Sequence, residues 1–320
     1  MLDYSAYIKS RKSFMKLKDD KQKGRLAHTF LVEAKDGDLA FCFAKALAKV
    51  ILDGSEITNN KIEKDIHPDV KVFGLQKKFS AEDASEIVSD VLVLPFEGDS
   101  KVYIIANAET MNEESQNKLL KTLEEPPHAS YFILATRTEK TLLQTVISRS
   151  KKIMVENPTE TEIEALLGWA GHQGENAKIA SICASGDASK AMKMVENNSF
   201  IKLYDTCFEM MRTMNSSRDI LRFVGKFSGR DFVIGDFLTI VESIAMDLVY
   251  VLAGTHDLVL NRHRLPELKV IASGFTPSAL AKLLKECFDF RESLYYNVNM
   301  TPALDGFLLK AVEVKVKCKR

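Results

Sequence analysis

The chain has 320 residues, 46% hydrophobic and 28% charged, which is the composition of a globular protein long enough for two or three domains. Lysine plus arginine equals aspartate plus glutamate at 44 each, so the overall charge gives no sign of free-standing nucleic-acid binding. The five cysteines include no CxxC pair, and no apolar run indicates a signal peptide or a membrane span, so we expect a reduced, cytoplasmic protein.

The first half of the chain alternates short apolar runs with helical patterns. The helical patterns cover 39–51, 81–93 and 113–125, and the last of these begins after a capping Asn112 and ends before Pro126. This alternation predicts an α/β domain with a parallel five-stranded sheet between two layers of helices. The predicted strands are 29–32, 70–73, 102–105, 131–134 and 152–155.

Beyond residue 156, strand patterns are nearly absent. Helical patterns at 161–169, 177–184 and 188–196 predict a compact unit, and longer amphipathic patterns follow from about residue 200. We therefore predict three domains, one α/β and two all-α, with these bounds: 1–156, 157–200 and 201–320.

The turn after the first predicted strand lacks a phosphate-binding loop. In a P-loop protein this turn reads GxxxxGK[ST], in which backbone amides cradle phosphates, lysine neutralises them and the hydroxyl holds magnesium. Leu39 and Phe41 add bulk here, while Asp36 and Asp38 add negative charge. The first glycine, second glycine, lysine and hydroxyl positions are occupied by Ala34, Leu39, Ala40 and Phe41, and Gly37 alone survives between them.

A second nucleotide-site element is altered as well. Mg²⁺-dependent ATPases place acidic residues after a buried strand, whereas this chain has Ala106 and Asn107 there. The two changes predict that the chain does not hydrolyse ATP and holds no cofactor or metal of its own. An α/β sheet that never carried a P-loop is the alternative reading of the same residues.

The segment 101–150 carries the most specific pattern in the chain. It combines a strand, a helical run from Asn117 to Pro127 and a second strand with the sequence Phe-Ile-Leu-Ala-Thr. This pattern resembles the AAA+ subunits of bacterial DNA polymerase III clamp loaders. The resemblance implies an AAA+ P-loop-type sheet, a small helical lid and a helical collar for oligomerisation. The matching residues are Asn117, Leu119, Leu120, Lys121, Leu123, Glu124, Glu125, Pro126, Pro127 and Phe132 to Thr136.

Ser148 and Arg149 occupy the place of the family's Ser-Arg-Cys element, with Ser150 in place of cysteine. The resemblance implies that Arg149 reaches the ATP of a neighbouring subunit as a trans-acting arginine finger, because a planar guanidinium can meet γ-phosphate oxygens bidentately. Its spacing alone would instead favour a solvated arginine near the end of a strand. Thr136 stands at the family's sensor position, which in active relatives helps to detect the γ-phosphate. For this chain we predict instead a structural threonine at the end of a strand.

The resemblance implies a non-hydrolysing subunit of the clamp loader within the DNA-directed DNA polymerase, a nucleotidyltransferase. Its implied partners are the gamma or tau and delta subunits, the sliding clamp, and primer–template DNA through the assembled complex, with no membrane. A gamma- or tau-like ATPase with an unorthodox phosphate loop is one alternative. A free-standing binding module is the other.

Overall fold

The structure, a computed structural model, describes residues 2–127, 130–227, 232–294 and 299–317. The strands are β1 Thr29–Glu33, β2 Val70–Phe73, β3 Lys101–Ile105, β4 Ser130–Thr136 and β5 Lys151–Met154. The helices are α1 Ser5–Ser10, α2 Lys12–Gln22, α3 Gly37–Leu52, α4 Glu56–Glu63, α5 Ala81–Asp90, α6 Glu113–Glu124, α7 Gln144–Arg149, α8 Glu160–Trp169, α9 Glu175–Ala184, α10 Ala188–Glu196, α11 Asn198–Thr213, α12 Ser217–Val224, α13 Ile234–Leu252, α14 Leu265–Ala272, α15 Pro277–Ser293 and α16 Met300–Lys317.

The chain divides into two compact units. The first comprises Met1–Ala170 with Gly186–Lys190, and the second comprises Gly171–Ser185 with Ala191–Arg320. The predicted three-domain division at 156 and 200 stays a prediction.

The first unit is built on the parallel five-stranded sheet that the sequence predicts. Its strand order is β2-β3-β4-β1-β5, and every pairing is parallel. Because both faces of such a sheet are covered, its central strands are continuous apolar runs, and Phe30, Leu31 and Val32 of β1 are fully buried. The predicted fold class, α/β followed by an all-α region, is confirmed.

Three helices of the first unit, α3, α5 and α6, begin at side-chain caps. Asn112 accepts the amide of Ser115 at 2.8 Å, which confirms the predicted start of α6. Helix α5 starts at a reciprocal capping box between Ser80 and Asp83. It ends at Asp90, earlier than its predicted end at residue 93.

The carboxyl ends of the central strands meet where α3 begins. Strand β1 has β4 and β5 on its two sides, and Glu33 is in register with Thr136. The amide of Ala34 extends this pairing by donating to Thr136 O at 3.1 Å. In open α/β sheets this edge, where the strand order reverses, is the usual ligand-binding crevice.

The second unit is helical in its described part, and α13 packs against α11, α14 and α15. A buried polar network ties it together: Asp247 accepts the amides of Leu260 and Asn261 at 2.7 and 2.9 Å. The Asn261 side chain donates to Asp247 at 2.6 Å and accepts from the Tyr204 hydroxyl at 2.7 Å. Within the described residues, no helix of either unit has the length and apolar character needed to span a membrane.

Candidate functional site

The amino terminus of α3 is capped by a carboxylate of the same chain. Asp36 is the N-cap, and its Oδ1 accepts the amides of Asp38 at 3.0 Å and Leu39 at 3.3 Å. Free amides at a helix start attract anions, which is how P-loops bind phosphate. Here the anion is Asp36, whose side chain is completely buried.

Two more residues hold the Asp36 carboxylate in place. The Tyr4 hydroxyl donates to Oδ2 at 2.6 Å, and the amide and hydroxyl of Ser189 donate at 3.0 and 2.8 Å. Burial and the adjacent carboxylate of Asp36 raise the pKa of Tyr4 far above its usual value, so its hydroxyl remains a donor. We call Tyr4, Asp36 and Ser189 the carboxylate cap.

Arg137 covers the outside of this cap. A Cβ added to Gly37 would lie 2.7 Å from Arg137 Nε, so the arginine side chain crosses directly over the first turn of α3. Its Nη1 lies 3.9 Å from Asp187 Oδ2. Burial raises the pKa of Asp187, and the neighbouring Asp36 carboxylate contributes to that rise. The first turn of α3 is therefore covered by an arginine and has two acidic residues, Asp36 and Asp187, beside it.

The predicted phosphate-loop residues fall around this cap. Ala34, Leu39, Ala40 and Phe41 are all buried. The sequence suggested that Asp36 only repels phosphate, whereas the structure makes it the occupant of the amide site. Tyr4 lies 32 positions before Asp36 and Ser189 lies 153 positions after it, so the sequence of the loop does not indicate the residues that complete the cap.

The altered acidic turn after β3 has a structural role. Asn107 adopts the left-handed conformation at φ 49° and donates from Nδ2 to Gly74 O at 3.0 Å. Gly74 is itself left-handed, and a Cβ there would lie 2.3 Å from Ala106 O. The turn thus packs backbone against backbone, and neither Ala106 nor Asn107 carries a carboxylate that could hold a metal ion.

The threonine at the sensor position is engaged within the chain. Thr136 is buried, and its hydroxyl lies 2.9 Å from Glu109 Oε2 and 2.7 Å from Thr138 O. The same Glu109 oxygen accepts the amide of Arg137 at 3.2 Å. Among the described residues, no three metal-ligating side chains gather into a metal site.

Arg149 is the last residue of α7, and its hydrogen bonds go to α6 and α7. Its Nε donates to Glu124 Oε1 at 2.6 Å, its Nη2 pairs with the same carboxylate, and its Nη1 donates to Thr145 O at 2.9 Å. The helix itself is fixed by Val146, which is fully buried in the core cluster beside Leu123. Ser148, bonded to Thr145 O at 3.1 Å, supports the turn.

The guanidinium of Arg149 keeps access to solvent. About a third of its side chain (32%) is exposed, as is 44% of the Glu124 side chain. Such a partly exposed ion pair contributes roughly 0–1 kcal/mol to stability, so the arginine can exchange partners at little cost.

Known proteins resemble this chain over its sheet-bearing part and beyond. Residues 9–159 match the family described as "DNA polymerase III, delta subunit", and this segment contains Arg149 and the altered loop. A DNA polymerase III subunit gamma from Buchnera aphidicola subsp. Schizaphis graminum is 24% identical over 331 residues, which cover 91% of this chain and 90% of that one.

The delta' and tau subunits are similar as well. A DNA polymerase III subunit delta' from Bacillus subtilis is 24% identical over 313 residues, covering 91% of this chain and 93% of that one. A subunit tau from Escherichia coli is 31% identical over 135 residues, covering 39% of this chain and 21% of that one. The chain therefore spans about nine-tenths of the gamma and delta' relatives but only a fifth of the tau relative. The chain is therefore similar to DNA polymerase III subunits named gamma, delta' and tau, and residues 9–159 are the part that matches the family model.

Proposed function

We propose that this chain is a delta-prime-type clamp-loader subunit that binds no ATP itself and supplies Arg149 to ATP held by a neighbouring subunit. In this role it joins gamma or tau and delta in the cytoplasm and helps to place the sliding clamp on primed DNA. The carboxylate cap is the observation that carries the proposal, because the amides that would bind phosphate already bind Asp36.

Three further features support the absence of a nucleotide cycle. The loop lacks the phosphate lysine and the magnesium hydroxyl, since Ala40 and Phe41 stand there. The turn after β3 is packed as a structural turn, and the hydroxyl of Thr136 is already bonded inside the chain. Nucleotide binding would require displacement of Asp36, and no lysine stands at position 40 to neutralise the phosphate.

Arg149 has the chemistry that the proposed role needs. An arginine that contacts a transferring γ-phosphoryl group stabilises its developing charge, and such residues contribute about 10³–10⁵-fold in rate. Helix α7 fixes the backbone of Arg149 through Val146, and the guanidinium, paired with Glu124, stays partly exposed at the surface.

A reconstituted assembly tests this function. The chain is mixed with gamma or tau and delta subunits from the same organism, and co-elution, DNA-stimulated ATPase and clamp loading are measured. We expect co-elution for wild type, Arg149→Ala and Arg149→Lys, with loss of activity at one ATP site in both variants, because lysine lacks the bidentate fork. Arg25→Ala, which removes an exposed arginine from the same unit, serves as the control.

Failure to co-elute would contradict membership of the complex. Wild-type ATPase and clamp loading in an intact Arg149→Ala assembly would contradict the arginine-finger role alone. The second candidate function is a gamma-like ATPase, which the 24% identity to a gamma subunit along nine-tenths of both chains favours. Saturable Mg·ATP binding by the isolated chain would select this candidate.

A further inference from the structure

A groove lies between the two amino-terminal helices and the body of α3, and all of its lining belongs to the first unit. Its volume is about 830 Å³. Tyr4 of the carboxylate cap is part of the lining, but its hydroxyl is already donated to Asp36. We call this feature the amino-terminal groove.

Helix α3 contributes a stripe of small apolar side chains to the groove. Cys42, Ala46 and Val50 line it at every fourth position, so they lie on one face of the helix, and all three are half-buried. Ile8 and Phe14 line the groove from the side of α1 and α2 and are almost completely buried. Polar side chains also occur in the lining: Ser5, Gln22 and Asn59. The three residues of α3, which we call the α3 stripe, leave apolar surface open to a ligand.

The lysines on the α3 side of the groove are balanced by carboxylates. Lys45 pairs with Asp65 at 2.8 Å, and Lys49 pairs with Glu63 at 3.1 Å. The acidic residues of the lining itself are Asp3, Asp53 and Glu63. We therefore assign no ligand contact to Lys45 or Lys49.

The opposite side of the groove, formed by α1 and α2, carries positive charge that is not balanced in this way. Asp19 and Asp20, the carboxylates of α2, pair at 2.6 Å with Lys23 and at 2.7 Å with Lys151. Three lysines of the lining have no carboxylate of the described residues within ion-pair distance: Lys9, Lys18 and Lys21. The groove thus combines cations on one side with an open apolar stripe on the other.

An acidic amphipathic helix has the chemistry that matches this arrangement. A helix satisfies its own backbone amides and carbonyls, so it lies on apolar side chains without leaving those groups unpaired. Lys18 and Lys21 are three positions apart and are neighbours on one flank of α2. Carboxylates three or four positions apart on a ligand helix have the same spacing. The small side chains of the α3 stripe let a second helix approach closely.

Nucleic acid fits the groove less well. Its backbone is polar and charged along its whole length, so it gains nothing from the α3 stripe. Phe14, at 3% exposure, is too deeply buried to stack on a base. The occupant that uses both sides of the groove needs carboxylates and an apolar face together.

We infer that the amino-terminal groove binds an acidic amphipathic helix of a partner protein, with the apolar face of that helix on the α3 stripe and its carboxylates paired with Lys9, Lys18 and Lys21. Docking of one helix face in a groove is a recurrent mode of protein recognition. The inference goes beyond the proposed function, because it involves neither Arg149 nor the acceptor role of Asp36.

Two variants of the full-length chain remove the two features separately. The charge variant combines Lys9→Gln, Lys18→Gln and Lys21→Gln. The floor variant, Ala46→Glu, places a carboxylate on the α3 stripe, where it repels an acidic ligand. The control variant changes three exposed lysines outside the lining: Lys12→Gln, Lys16→Gln and Lys78→Gln.

Fluorescence anisotropy with a labelled helical peptide of about 16 residues tests the inference at about 50 to 200 mM salt. The peptide carries glutamates on one face and leucines on the other. We expect the wild-type chain to bind it saturably, and the dissociation constant to rise about tenfold or more in the charge variant and in the floor variant. The control variant should change it by less than about twofold. Rising salt should weaken binding to the wild-type chain more steeply than binding to the charge variant.

Two companion peptides separate charge from apolar packing. One replaces the glutamates by lysines and the other replaces the leucines by serines. Both should bind the wild-type chain at least about tenfold more weakly than the original peptide, because each lacks one of the two features that the groove recognises.

Several outcomes would overturn the inference. These are no saturable binding of the original peptide by the wild-type chain at the lowest salt, equal effects of the charge and control variants, or equal affinity for the leucine and serine peptides. A labelled single strand of about 20 nucleotides that bound more tightly than the peptide, and lost affinity in the charge variant, would make nucleic acid the ligand instead. None of these measurements involves ATP or assembly with gamma or tau and delta, so the groove and the proposed function fail independently of each other.

Discussion

Ser189 donates twice to Asp36, from its amide at 3.0 Å and from its hydroxyl at 2.8 Å. The two bonds join residues 153 positions apart and close the amino terminus of α3 around a carboxylate of the same chain. A negative charge there is stabilised by the helix dipole and by the donors, so the site needs no phosphate to be complete.

Removal of that carboxylate should destabilise the fold. Asp36→Ala deletes a helix cap and leaves the buried Tyr4 hydroxyl and Ser189 amide without their acceptor, so we expect the free energy of unfolding to fall by about 2–4 kcal/mol. Urea denaturation measures the change, with the exposed Asp99→Ala as the control, expected within about 0.5 kcal/mol of wild type. A loss under about 1 kcal/mol would show that Asp36 is not integral to the structure.

A second prediction concerns Asp90 and acid stability. Asp90 accepts from Tyr103 at 2.8 Å and from the buried Lys101 at 3.1 Å, and it also pairs with Lys71. Burial alone would raise the pKa of Asp90, but the hydrogen bonds from Tyr103, Lys71 and Lys101 outweigh it and hold the pKa below its usual value. The stabilisation is therefore present above about pH 4, where the unfolded carboxyl ionises, and is lost as pH falls through the lowered pKa.

Asp90→Asn should reduce the free energy of unfolding by about 2–4 kcal/mol at pH 7, because it leaves the Lys101 ammonium buried without its partner. The difference from wild type should shrink below about pH 4 in urea titrations at a series of pH values. Glu86→Gln, which touches only the Lys71 end of this cluster, is the control. If the difference in the free energy of unfolding between Asp90→Asn and wild type stayed constant down to the pH at which the protein unfolds in acid, the stabilising role of ionised Asp90 would be contradicted.

In the second unit, Asn261 joins Asp247 to Tyr204. We expect Asn261→Ala to lower the free energy of unfolding by about 2–4 kcal/mol, because it leaves a buried carboxylate and a hydroxyl short of a partner. Thermal denaturation followed by circular dichroism measures this, with Asn215→Ala in an exposed turn as the comparison. Equal melting temperatures for the two variants would contradict a structural role for the network.

Glu124 tests whether Arg149 exchanges partners. Under the proposed function, Arg149 leaves Glu124 to reach a neighbour's phosphate, and the pair contributes only about 0–1 kcal/mol. Glu124→Gln should therefore leave the ATPase rate of the assembly unchanged or raise it by up to about fivefold. If Glu124→Gln instead lowered the rate as far as Arg149→Ala, Glu124 would be holding Arg149 in its working position.

The sequence predicts the sheet well for a physical reason. Strands covered on both faces must be apolar throughout, so 29–32 and 131–134 stand out as buried strands and lie within β1 and β4. Helices α1 and α4 are short and α2 is rich in charged residues, so the bounds of these helices, like those of the short α7, do not follow from apolar periodicity. Their positions depend on packing that only the folded chain supplies.

The candidate site is predictable only in part. The absence of the loop glycines and lysine predicts that the chain binds no ATP. It does not predict that Asp36 accepts the amides of α3, because Tyr4 and Ser189 are remote in sequence. Arg137 crossing Gly37 is likewise a tertiary relationship. Arg149 is indicated by family pattern alone, and its pairing with Glu124 emerges only from the packing of α7 on α6.

Isothermal calorimetry of Mg·ATP with the isolated full-length chain tests the central claim most directly, with the gamma or tau subunit of the same organism as the positive control. Because Asp36 occupies the amides of α3 and no lysine stands at position 40, the account predicts no saturable heat up to about 1 mM ATP for wild type or Asp36→Ala. Saturable binding by the wild-type chain with a dissociation constant in the micromolar range would contradict it.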